Sequence, residues 1–95
     1  MTELTKIFGS RAQTKLIQYL LDNQGKIFNQ AGLARYLDFS PSTIARVIEP
    51  LIHEGILAYE QIGGQMKVIA LNTENEKTKL LIDFYEKMKK LSTTM

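Results

Sequence analysis

The chain has 95 residues and no cysteine, which excludes a disulfide framework, a thiolate metal site and a cysteine nucleophile. A hydrophobic fraction of 44% and a charged fraction of 23% suit one modest globular core, and no apolar run reaches the roughly 18 residues that a membrane-spanning helix needs. The formal charge of +2 is too small to indicate a nucleic-acid partner, so the placement of charge has to decide.

Thr2 to Phe8 predicts a short opening helix with Leu4, Ile7 and Phe8 on one side, interrupted by Gly9. Ser10 followed by Gln13 has the form of a capping box, in which hydroxyl and carboxamide satisfy free amides reciprocally. Ala12, Leu16, Ile17, Leu20 and Leu21 then recur at helical spacing, and Gly25 offers a left-handed end. Lys26 to Phe28 is too short to classify by period, and a one-rung strand or an extended link both fit.

Asn29 is a good N-cap for a helix from Gln30 to Leu37 with Leu33, Ala34 and Leu37 inward, and Asp38-Phe39 makes the turn. Ser40-Pro41 starts the next helix with a cap hydroxyl and a proline whose missing amide costs nothing there. Ile44, Ile48, Leu51 and Ile52 give its core face, and Gly55 closes it. Pro50 is expected to bend the last turn and end the helix early.

Ile56 to Ile62 and Met66 to Leu71 read as strands flanking a two-residue Gly63-Gly64 hairpin turn, since both positions accept positive φ. With Ile62 opposite Gln65, Glu60 would face Lys67, a cross-strand pair worth about 0.2 to 1 kcal/mol. Thr73 followed by Glu76 predicts a second capping box. The helix after it runs to Leu91 with a broad stripe of Leu80, Leu81, Phe84, Tyr85, Met88 and Leu91.

This order, together with Leu33-Ala-Arg-Tyr-Leu-Asp-Phe-Ser-Pro-Ser-Thr-Ile-Ala-Arg46 and Leu51-Ile-His-Glu-Gly-Ile-Leu57, resembles the small prokaryotic winged helix-turn-helix regulators of the broad MarR-like and ArsR-like type. Asp38 departs from them by standing where glycine is usual, and Pro50 by lying inside the recognition helix. The likeness implies an α+β, mostly helical fold occupying residues 1–95 as one domain. It would hold a helix-turn-helix at about 30–54, a two-stranded wing at about 56–72 and a C-terminal dimerisation helix at about 74–91.

The function this implies is sequence-specific binding of double-stranded DNA by a homodimeric transcriptional regulator, a repressor in the cytoplasm. The helix from Ser40 would enter the major groove, with Ser42, Thr43, Arg46, Val47 and Pro50 outward. Arg46 is suited to bidentate contact with guanine, and the methyls of Thr43 and Val47 to thymine. Phosphate contacts fall to Ser40, Arg35, Arg11, Lys15 and the free amides at Asn29 and Gln30, with Gly63, Gly64, Gln65 and Lys67 as a wing tip. The six apolar residues of the last helix exceed what a small core absorbs, so Leu4, Phe8, Leu80, Leu81, Phe84, Tyr85, Met88 and Leu91 form a candidate dimer interface.

A catalytic role finds no support, because His53 is the lone histidine and no paired carboxylates, phosphate-cradling loop or metal-ligand spacing occurs. No cofactor or metal is expected, and nothing identifies an effector. Two alternatives stay open: a partition-type or architectural protein that coats DNA, and a winged module that contacts proteins without DNA.

Overall fold

The computed structural model describes residues 3–9 and 11–93, which form α1 (Glu3–Phe8), α2 (Ala12–Asp22), β1 (Ile27–Asn29), α3 (Gln30–Leu37), α4 (Pro41–His53), β2 (Leu57–Ile62), β3 (Met66–Leu71) and α5 (Glu76–Thr93). The architecture is α+β and mostly helical. The short segment after α2 proves to be a strand, because it pairs with β3 and makes a three-stranded antiparallel sheet in the order β1-β3-β2. No helix among the described residues is long and apolar enough to cross a membrane.

Most local signals act as their chemistry dictates. The Asn29 carboxamide oxygen accepts from the amides of Ala31 (2.9 Å) and Gly32 (3.2 Å), starting α3. Asp38 takes a left-handed conformation (φ 63°), and the Phe39 amide donates back to the Ala34 carbonyl at 2.8 Å, so α3 ends in a Schellman turn without glycine. Gly55 (φ 79°) ends α4 in the same way, with Ile56 donating to the Leu51 carbonyl at 2.9 Å.

Four expectations change. Ser10, the first half of the proposed capping box, lies outside the described residues, and the N-cap position of α2 is Arg11, which makes no side-chain cap. Pro50 does not shorten α4, which continues to His53 with the Glu54 amide donating to the Pro50 carbonyl at 3.0 Å. Thr73 does not cap α5. Asn75 does, its carboxamide oxygen accepting from Lys77 (2.8 Å) and Thr78 (3.2 Å).

The hairpin register is the fourth change. Ile62 pairs with Met66, leaving Gly63, Gly64 and Gln65 in a three-residue turn, so Glu60 faces Val68 and Lys67 faces Gln61. The reason is burial. This register puts Leu57 opposite Leu71 and on the same face as Ile69, so the buried residues share one face; a one-residue slip would place Leu57 and Leu71 on opposite faces.

One core holds these elements together, with Leu16, Leu20, Leu21, Leu33, Ile44, Ile48, Leu51, Leu57, Ile69 and Tyr85 among its buried members. Two buried polar side chains tie elements into it: Gln18 accepts from the Leu4 amide at 2.8 Å, and the Tyr85 hydroxyl donates to Asp22 at 2.6 Å. Burial first, and the bond to Asp22 second, push Tyr85 ionisation above the ordinary phenol range.

The C-terminal end of α4 is clamped by the first turn of α5. Asn75 donates to the Glu54 carbonyl at 3.5 Å, Thr78 to that of Ile56 at 3.4 Å, and Lys77 pairs with the Glu54 carboxylate. That ammonium, through its hydrogen bond and then its charge, holds the Glu54 carboxyl below its ordinary range. The opposite end of α4, at Ser40 to Thr43, is left outside this clamp.

Candidate nucleic-acid interface

The sequence of α4 sorts its residues by helical spacing. Ile44, Val47, Ile48 and Leu51 recur at three and four and are buried, whereas Ser42, Ala45, Arg46, Glu49 and Pro50 are exposed. Val47, expected outward as a base-reading residue, is corrected here: it is 5% exposed because α2 lies along that flank, with Gln13 Nε2 donating to the Val47 carbonyl at 3.4 Å. The outward stripe instead includes Ala45 and Glu49, two positions that the spacing from Ser42 and Arg46 would have revealed. Thr43 is half-buried.

At the helix start the three hydroxyls form one cluster. Ser40 Oγ accepts from the Thr43 amide at 3.1 Å, donates to Thr43 Oγ1 at 2.8 Å and lies 3.2 Å from Ser42 Oγ. Ser40 is therefore engaged as a cap, while Ser42 stands at the open edge of the cluster. A comparable correction applies to α3. The amides of Ala31 and Gly32 are taken by Asn29 itself, so that terminus does not present the set of free donors expected at Asn29 and Gln30. The Gln30 side-chain oxygen is shielded from solvent and has no hydrogen-bond partner.

Two open concavities flank α4. One, of about 380 Å³, lies between the start of α3, the start of α4 and the hairpin, and its lining includes Gln30, Arg35, Phe39, Pro41, Gln65 and Lys67. The other, of about 490 Å³, runs between α2 and α4 and is lined by Arg11, Ala12, Gln13, Arg46, Val47 and Pro50. Each groove thus holds two cations. Lys15 lines neither groove, so the structure does not bring it to the others.

The cations differ in how they are held. Lys77, Lys79, Lys87 and Lys89, all on α5, each pair with a carboxylate. Arg11, Arg35, Arg46 and Lys67 have no carboxylate partner among the described residues. The register explains Lys67, since Glu60 lies across from Val68 and on the other face of the hairpin. Gly63, Gly64 and Gln65 form the exposed hairpin tip beside it.

The candidate dimer interface divides in two. Leu4 (5% exposed) and Tyr85 (0%) are core residues of their own chain, which corrects their expected place at a dimer surface. Leu80 (70%), Phe84 (40%), Leu91 (66%) and Phe8 (58%) are exposed, with Leu81 and Met88 half-buried between them and the core. Leu80, Phe84 and Leu91 follow one another at four and seven along a single flank of α5.

A solved structure similar to this chain is that of a possible transcriptional regulator from Methanosarcina mazei Go1, 14% identical in sequence. The match covers 90% of this chain and 78% of that one, with a TM-score of 0.59. At this identity the likeness shows the fold. No protein-family model matches the chain, and no curated protein matches it in sequence.

Proposed function

We propose that the chain is a single winged helix-turn-helix domain that binds double-stranded DNA as a homodimer and regulates transcription, acting as a repressor in the cytoplasm. In this reading α3 and α4 are the helix-turn-helix, β2 and β3 the wing, and the outer face of α4 enters the major groove. The observation that carries it is the pair of unpaired cations on each side of α4, Arg35 with Lys67 and Arg11 with Arg46, while Lys77, Lys79, Lys87 and Lys89 of α5 are neutralised locally. Cations held without partners are what a polyanion needs on either side of an inserted helix, since each one that meets a phosphate releases counterions. Arg46, on the exposed stripe, is suited to guanine O6 and N7. The regulator-like fold of the archaeal neighbour supports the same reading.

The exposed flank of Phe8, Leu80, Phe84 and Leu91 supports a twofold dimer through α5 and α1, which would set two α4 helices about 34 to 36 Å apart on a palindromic site. The test is selection of binding sites from random duplexes followed by Arg46→Ala. The variant should lose about tenfold or more on the selected duplex and little on random DNA. A wild-type protein that enriches no duplex would reject the proposal. For the dimer, Phe84→Glu should give monomers by sedimentation, and an unchanged mass would reject that interface.

A further inference from the structure

The exposed stripe of α4 carries one carboxylate, Glu49, between the cations that flank the helix. Arg46 stands three residues before it and His53 four residues after, both at distances where helix side chains commonly pair, yet among the described residues Glu49 makes no ion pair or side-chain hydrogen bond. Five residues on, Glu54 by contrast holds Lys77. A free carboxylate turned toward a duplex repels phosphates, so it gains only where a base edge offers a donor without a competing acceptor.

Cytosine meets that condition. In the major groove its N4 amine is a donor, guanine and thymine present acceptors at the corresponding edge, and adenine sets its N6 donor beside the N7 acceptor. The α-helical rise of about 1.5 Å per residue puts Arg46 and Glu49 about 4.5 Å apart along the axis, close to the base-pair step of about 3.4 Å.

We propose that Glu49 is a specificity-determining residue, accepting a hydrogen bond from cytosine N4 at the base pair next to the guanine that Arg46 contacts. This rests on the duplex-binding reading above. It is tested by selecting sites from random duplexes with the wild type, Glu49→Gln and Glu49→Ala in parallel, then measuring affinity for the selected duplex and its single-base variants. The wild type should prefer cytosine about tenfold at one position adjacent to a selected guanine. Glu49→Gln should lose that preference and favour adenine there, because a carboxamide pairs with N6 and N7 together, and should keep the guanine. Glu49→Ala should lose the cytosine preference and acquire no new one. Identical base preferences in all three proteins would overturn the proposal and leave duplex binding standing. Enrichment of no duplex by any of them would overturn both.

Discussion

Replacing Lys67 by glutamine removes one of the cations in the groove between α3 and the hairpin without touching the core, since Lys67 is exposed and unpaired. If Arg11, Arg35 and Lys67 each meet one phosphate, the slope of log affinity against log salt is about −3 for a protomer and about −5 for a dimer. Between about 50 and 200 mM salt the dimer's affinity should then fall by about a thousandfold. Lys67→Gln should make the dimer's slope shallower by about 2 and weaken binding to selected and random duplexes by the same factor. Glu60→Gln should leave the slope alone, because Glu60 faces Val68 and does not screen Lys67. The assay is fluorescence anisotropy of a labelled duplex titrated at a series of salt concentrations. A slope unchanged by Lys67→Gln would refute the assignment of this lysine to phosphate. A slope steepened by Glu60→Gln would show that the two residues are paired after all.

Three further outcomes follow from packing and charge. Val47→Ala should lower stability by about 1 to 2.5 kcal/mol, about 5 to 15 °C in melting temperature for a domain of this size, without altering which bases are selected, because the side chain is in the core. Asn75→Ala should cost about 1 kcal/mol or more in chemical denaturation by freeing two amides of α5, whereas Thr73→Ala should cost less than about 0.5 kcal/mol. Tyr85 ionises above the ordinary phenol value of about 10 in the folded chain, so the unfolded state loses that proton first; stability is complete below about pH 10 and falls as pH rises past it. Absorbance of ionised tyrosine should show Tyr85 titrating together with unfolding, and Tyr85→Phe should remove that step.

How much of this was legible in the sequence depends on whether a feature is decided locally. The Asn29 cap, the Asp38 turn and the Ser40-Pro41 start involve residues within a few positions of one another, and their chemistry is visible in the chain itself. The hairpin register is not local. The paired glycines announce a turn, but its length is set by Leu57, Ile69 and Leu71 needing one common face. Val47 shows the same limit: Ile44, Ile48 and Leu51 define the core side of α4, while the width of that side depends on α2, some thirty residues earlier, leaning along it. Asn75 displaces Thr73 as cap because its carboxamide also reaches the end of α4, a contact with no trace in the local pattern. The grouping of Arg11 with Arg46, and of Arg35 with Lys67, likewise appears only once the elements are assembled.

The most direct test of the claim that α4 lies in the major groove is chemical protection of guanine N7, an atom exposed only in that groove. On a selected duplex, the wild-type protein should shield a guanine N7 from methylation and Arg46→Ala should leave the same atom open. Protection confined to minor-groove atoms, or N7 protection that persists undiminished in Arg46→Ala, would contradict the account.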